Sequence, residues 1–272
     1  MHDSKNGAFG LTRKLDFAWR WFATALSFAV FGSGSLLLGI IIMPLIVHLI
    51  RNEQRRVRWS RLIVGNAMRF FRFFMNTVGV LRYEITGTEH IRPGRPYLIV
   101  ANHPSLIDVV FLLAMFPTAD CVIKQELREN FWTKHLMKGV GYISNRNPEQ
   151  WLEDCTQRLQ DGHSLILFPE GTRTVPGRPL NFKAGAAAVA VRAGADCLPI
   201  LITCKPTTLT KAERWYDVPD SRVFLSIQVQ PPIIIADIIP PGTNQREGGR
   251  RFNAYLLDYF SARLTRNDFS AS

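Results

Sequence analysis

Two short stretches of this 272-residue chain combine residue types that can move a proton and hold an anion. The first is Asn102-His103-Pro104-Ser105-Leu106-Ile107-Asp108. A carboxylate holding one imidazole nitrogen fixes the tautomer and supports the positive charge that forms when the other nitrogen takes a proton. His103 is therefore a candidate general base for a hydroxyl nucleophile, with Asp108 as its orienting partner. The second stretch is Phe168-Pro169-Glu170-Gly171-Thr172-Arg173, which follows the apolar run Leu165-Ile166-Leu167. A glycine beside a carboxylate and a guanidinium at a strand end offers backbone N–H groups and a fixed cation, which suits a phosphate or a developing oxyanion. Taken alone, the same peptide reads equally well as a simple turn with a surface ion pair. Ser105 is not set in a G-x-S-x-G elbow, so it reads as a cap or liner of a helix start.

These residues need elements to hold them. Tyr97 to Ala101 reads as a buried strand and Leu106 to Phe116 as the helix after it. Proline is favoured in the first helical turn, so that helix is expected to begin near Pro104. His103 then falls at a strand-to-helix junction, where open α/β sheets hold ligands, and Asp108 lies about one turn into the helix. Cys121 to Ile123, Ser164 to Phe168, Leu198 to Cys204 and Val223 to Val229 read as strands. Trp151 to Gln160, Phe182 to Ala193 and Arg250 to Leu264 read as helices. Strands alternating with helices predict an α/β fold, a mainly parallel sheet flanked by helices, over residues 83–272.

Residues 1–82 have a different character. Trp21 to Ile50 contains no Asp, Glu, Lys or Arg. As a helix these residues extend about 45 Å, beyond the roughly 30 Å of a bilayer core. They predict a membrane-associating helix, either a tilted span or a helix in one leaflet bent around Gly32-Ser33-Gly34-Ser35 or Pro44. The arginines after Ile50 put the following domain on the cytoplasmic side if the segment spans. Over residues 58–80, Arg58, Arg61, Gly65, Arg69, Arg72 and Asn76 recur at three- or four-residue spacing, one stripe of an amphipathic helix otherwise rich in phenylalanine. Such a stripe is expected at the headgroup boundary with its arginines on lipid phosphates, the alternative being a helix packed on the domain.

Together the two motifs resemble those of the glycerolipid acyltransferase family, whose best-known members are the 1-acylglycerol-3-phosphate acyltransferases. An N-H-x-x-x-x-D motif followed some sixty residues later by F-P-E-G-T-R is that family's pattern, here intact as Asn102 to Asp108 and Phe168 to Arg173. The resemblance covers roughly Tyr83 to Pro232 and takes in Lys124, Phe182-Lys183-Ala184-Gly185 and Leu198-Pro199-Ile200-Leu201. It implies transfer of a fatty acyl group from acyl-CoA or acyl carrier protein to a lysolipid hydroxyl, His103 acting as base and no acyl-enzyme forming. Glu170, Gly171, Thr172 and Arg173 match the acceptor-binding motif, with Arg173 on the phosphate and Lys183 assisting. The intermediate motif, Gly139 to Arg146, carries an extra residue between the Tyr142-Ile143 pair and Arg146, which is also an acceptor-binding candidate. That departure keeps open another lysolipid or a lipid-linked natural product as acceptor in place of 1-acylglycerol-3-phosphate. No metal or bound cofactor is implied. The N-terminal layout resembles the two-helix membrane module of bacterial members, which implies an inner-membrane enzyme facing the cytoplasm.

The composition agrees with such a partner set. The formal charge of +11 is unevenly placed, with seven arginines between Arg51 and Arg72 against the single acid Glu53. An excess of that kind beside an apolar segment favours membrane lipid over nucleic acid, for which no binding motif is present. Cys121, Cys155, Cys197 and Cys204 lack paired spacing and read as ordinary thiols, neither disulfide framework nor metal site. A lipid-binding or scaffold protein without turnover is the reading from another class; it predicts loss of His103, Asp108 or the glycine-arginine turn, and all are present.

Overall fold

The computed structural model describes residues 3–123, 125–129, 133–145 and 147–269, the side chains of 3–11, 127 and 266–269 excepted. The apolar segment is helical throughout: α1 (Asp3–Leu37), a π-helical stretch (Leu38–Ile42) and α2 (Met43–Leu49). The irregularity sits just before Pro44 and not at the Gly32–Ser35 run. Proline has no N–H to give the turn behind it, and the wider π turn accommodates the gap, with Met43 N–H donating to the Leu38 carbonyl. After a short break comes α3 (Glu53–Thr77), whose start is capped by the Asn52 side chain accepting from Arg55 N–H.

The α/β part opens with β1 (Leu81–Thr86) and continues through β2 (Leu98–Ala101), α4 (Asp108–Met115), β3 (Asp120–Ile123), α5 (Gln125–Glu129), α6 (Lys134–Val140) and β4 (Ile143–Ser144). It closes with α7 (Pro148–Gln160), β5 (Leu165–Leu167), α8 (Gly185–Ala193), β6 (Cys197–Lys205), β7 (Val223–Val229), α9 (Ile235–Ile238) and α10 (Gln245–Phe269). The seven strands lie in the order β1-β7-β6-β2-β5-β3-β4. Every neighbouring pair is parallel except β6 with β7. The mainly parallel sheet is thus present, and its four fully buried central β2 residues explain why that strand reads as a continuous apolar run. One core face packs under α3 and α4, the other under α7, α8 and α10.

Three expectations shift. The helix after β2 begins at Asp108, not near Pro104: the chain first turns through Pro104 to Ile107, and Asp108 is the first helical residue. The last helix starts at Gln245, not Arg250. The Gly248-Gly249 pair within it permits close packing on α8, a Cβ at Gly248 meeting Val191 at 3.1 Å.

The third correction concerns the basic stripe of α3. Arg61 is buried, 3% exposed, and donates to the carbonyls of Val140 at 2.8 Å and Thr118 at 3.0 Å while pairing with the buried Asp120 carboxylate. Arg69 donates to the Ala114 carbonyl, and Arg72 lies over the rings of Tyr83 and Phe111. Gly65 abuts Pro117, where a Cβ would fall 2.3 Å from the proline Cβ. From Arg61 onward the stripe therefore faces the α/β domain, while Arg58 stays exposed and Phe70 and Phe73, 59% and 63% exposed, face outward. Arginine outcompetes phenylalanine for this interface because the strand ends, helix ends and one buried carboxylate present acceptors that only a multi-donor cation can satisfy.

Candidate active site

His103 and Asp108 meet as the spacing suggests. His103 Nδ1 lies 3.0 Å from Asp108 Oδ2, and the same oxygen accepts the Ser105 backbone N–H at 2.8 Å. With Nδ1 carrying the proton toward the carboxylate, Nε2 is left as the basic nitrogen. The imidazole stacks on the Phe168 ring, centroids 4.1 Å apart and planes within 21°, so ring orientation is fixed from two directions. Asn102 carries the sheet past its last strand residue: its amide nitrogen donates to the Ile202 carbonyl at 2.7 Å and its oxygen accepts Ile202 N–H at 2.8 Å. A side-chain amide there mimics one more ladder rung between β2 and β6. Ser105 donates to the Thr208 carbonyl at 2.8 Å, and Ile107 N–H approaches its hydroxyl at 3.4 Å, so it braces the turn.

The second motif closes around the first. Glu170 Oε1 accepts the His103 backbone N–H and the Thr174 hydroxyl, each at 2.9 Å, and Thr174 N–H donates to the His103 carbonyl at 2.7 Å. Both backbone polar groups of His103 are therefore held by the 170–174 loop. Gly171 sits at φ +65°, in the left-handed region where a side chain is strained, and a Cβ there would lie 3.0 Å from Lys183 Nζ. Lys183 is thus laid beside the motif turn, with Thr172 exposed next to it. Arg173 does not point a bare guanidinium outward: its Nη1 donates to the carbonyls of Leu209 and Thr210 at 2.8 and 2.9 Å. Arg146 and Lys124 lie outside the described residues. Sequence reasoning missed the bracing by Asn102 and the Phe168 stack, although both sit inside the motifs. Nothing in the sequence marked Thr174 or the 208–210 segment.

Burial raises the Asp108 carboxyl to about 6, against the pull of the His103 hydrogen bond and charge and the Ser105 N–H; the Glu170 charge adds a small push upward. Burial likewise raises Glu170. The sign for stability follows. A raised carboxyl binds its proton more tightly in the folded state, so its stabilising contribution is complete below the ordinary value of 3.8 and is lost as pH rises through about 6. Function asks the reverse, because only the ionised carboxylate supports an imidazolium. We expect kcat/KM to show an acid limb to which the pair contributes near pH 6. Glu170→Gln keeps an oxygen for His103 and Thr174 but removes the charge, and should move that limb to lower pH. A limb that moves upward would contradict the charge relation.

Next to this cluster is an apolar cavity of about 520 Å³ between α1, α3, α4 and the 208–223 segment. Phe31, Leu38, Val64, Leu113 and Val140 line it, and Leu106, Thr208 and Leu209 stand at the end nearest Ser105 and Arg173. Its volume is in the range of small-molecule sites, and its lining suits a hydrocarbon chain.

An acyltransferase family model matches residues 82–203. The 1-acyl-sn-glycerol-3-phosphate acyltransferase of Pseudomonas aeruginosa is 33% identical over 147 residues, 52% of this chain and 56% of that protein. The human 1-acyl-sn-glycerol-3-phosphate acyltransferase alpha is 28% identical over 169 residues, 59% of this chain and 58% of its own. The chain thus spans a little over half the length of these two curated relatives. The crystal structure of the 1-acyl-sn-glycerophosphate (LPA) acyltransferase of Thermotoga maritima superimposes with a TM-score of 0.66 at 23% identity, covering 93% of this chain and 98% of that one, which shows the fold to be shared. The acyltransferase family model thus lies on the region that carries both motifs, and the chain is similar to these glycerolipid acyltransferases over a little more than half its length.

Proposed function

We propose that the protein transfers a fatty acyl group from the thioester of coenzyme A or acyl carrier protein to the free hydroxyl of 1-acylglycerol-3-phosphate, giving phosphatidic acid. The observation that carries this reading is the His103–Asp108 pair, braced by the second motif and opening beside an apolar cavity. His103 Nε2 takes the proton of the acceptor hydroxyl as its oxygen attacks the thioester carbonyl. The tetrahedral intermediate then expels the thiolate, which His103 can reprotonate. Asp108 stays ionised and steadies the imidazolium. Gly171, Thr172 and Lys183 form the outward side of the motif turn and are assigned to the acceptor phosphate, together with Arg146. Arg173 contributes through the guanidinium nitrogens other than Nη1, while Glu170 acts on the site from within by holding His103. The reaction draws on no bound cofactor; the acyl donor is a substrate.

The same reading places the protein on the cytoplasmic face of a bacterial inner membrane, with the N-terminal helix in one leaflet. Thr12–Leu49 is the one helix among the described residues long and apolar enough to cross a bilayer. It is fastened to the domain along its length. Trp19 donates to the Val78 carbonyl, Arg20 to those of Pro219 and Asp220, Phe28 meets Trp215, Phe31 meets Phe71, and Met43 is fully buried. Standing it upright would carry the sheet into hydrocarbon. Lying flat, it offers Trp21, Phe22, Leu36, Leu37, Ile40 and Ile41, all exposed, to the acyl region.

The test is thiol release by the detergent-solubilised protein given palmitoyl-coenzyme A and a panel of lysolipids. Release that depends on lysophosphatidic acid and on His103 supports the proposal. Release with another lysolipid alone discards the acceptor and keeps the chemistry, and silence with both coenzyme A and carrier-protein donors rejects the enzyme.

A further inference from the structure

A second cavity, polar and of about 670 Å³, takes no part in the reaction proposed above. Arg56, Arg128, Lys134, Lys138 and Arg158 line it with His135, against the single acid Glu53. It lies by the β3–β4 edge of the sheet, whereas His103 follows the central strand β2. Arg158 Nε is 4.0 Å from Asp120, the first residue of β3, and Gly141 lines the cavity just before β4. Asp120 and Leu98 both pair with Leu165, so the cavity is level with the beginning of β2, whereas His103 follows its end. At about 3.3 Å per residue that separation is about 15 Å along the strands. The cavity is therefore distinct from the acceptor site at the motif turn.

The cations around this cavity outnumber the one acid that lines it: Glu53 comes no closer than 3.8 Å to Arg56, and Asp120, 4.0 Å from Arg158, already pairs with Arg61. Arg56 is the informative member. Its side chain is largely buried, yet its Nε–H has no hydrogen-bond partner among the described residues. A buried donor without an acceptor, in the wall of a cationic cavity, is the kind of group that a phosphate oxygen satisfies. The surroundings indicate where such a phosphate comes from. Leu45 and Leu49 at the end of α2 are exposed, as are Trp59 and the arginines Arg51, Arg55 and Arg58 at the start of α3. Apolar side chains, a tryptophan and arginines clustered around the α2–α3 junction beside Arg56 are the composition of an interfacial anchor, which puts the cavity at the depth of lipid headgroups.

We propose that this cavity binds the headgroup phosphate of an anionic phospholipid of the surrounding bilayer, a lipid other than the acceptor, and so pins the start of α3 and α6 to the membrane surface. The proposal shares with the assigned reaction only the membrane location, and its readout is independent of turnover.

The test is flotation of the full chain with phosphatidylcholine vesicles, with and without phosphatidylglycerol. The pair Arg128→Gln and Lys138→Gln changes two exposed cations of the cavity; the pair Arg51→Gln and Arg55→Gln removes the same charge just outside it. The cavity pair should lose affinity for phosphatidylglycerol vesicles by roughly fivefold per charge removed. Its binding to phosphatidylcholine alone should stay unchanged, and the outside pair should lose clearly less. Equal losses in both pairs mean diffuse surface attraction and overturn the proposal, as does no loss in the cavity pair. Unchanged vesicle binding with a raised KM for acyl-coenzyme A also overturns it and gives the cavity to the phosphates of the donor. Lys138→Gln alone, at an exposed helical position, keeps the comparison decisive should the double variant not fold.

Discussion

Replacing His103 by alanine should lower acyl transfer by about 10²–10⁴-fold, the range typical of losing a general base, while leaving the protein folded and membrane-bound. The fold is expected to survive because Asp108 has a neutral form available. Burial already raises its carboxyl to about 6, and the His103 hydrogen bond and charge are the largest influences holding it down. Without the imidazole the carboxyl protonates, and it keeps the Ser105 N–H. Both backbone bonds of residue 103 to Glu170 and Thr174 are independent of the side chain. Initial rates of thiol release at saturating donor, beside circular dichroism of the same sample, make the check. A fully active, folded His103→Ala protein would remove the catalytic assignment.

Arg61→Ala is the complementary case, with a large cost in stability. The guanidinium donates to the carbonyls of Val140, Thr118 and, at 3.4 Å, Gly141, and to Asp120, itself completely buried. Removing one partner of a buried pair leaves the other charge uncompensated, at a cost of about 3–5 kcal/mol. Arg158 does not replace it, being 4.0 Å from Asp120 and 41% exposed. Urea denaturation in detergent should show this loss, and adding Asp120→Asn to Arg61→Ala should recover part of it. A single variant as stable as the parent would mean that the stripe only decorates the interface.

Chemistry was more legible in the sequence than placement. His103 and Asp108 could be paired from their spacing because a five-residue separation across a turn allows few other geometries for the two side chains. The parallel sheet was legible in runs such as Leu98 to Ala101, apolar on both faces. The partners of the site were not legible. Glu170 reads as an outward ligand until its carboxylate is seen turned onto the backbone of His103, and Arg173 until its Nη1 is seen on Leu209 and Thr210. Those contacts join segments up to 67 residues apart, and no local pattern encodes them. Helix α3 misled for a general reason. Periodicity reveals that a helix has two faces, but the assignment of the charged face to water or lipid is a convention. Here backbone carbonyls at the ends of neighbouring elements reversed it.

That reversal bears on how far the protein can be taken apart. An anchor attached through apolar contacts alone can be trimmed or exchanged for another of similar greasiness. Here the N-terminal helices and the sheet share one buried salt pair, so cutting before β1 would leave Asp120 as a stranded charge under an opened core face. Shortened forms made for solubility should fail for that reason, and recombination with a relative should succeed only when the crossover keeps Arg61 and Asp120 from the same parent. The unit of inheritance is the bonded interface, and it does not coincide with the boundary between greasy and water-loving sequence.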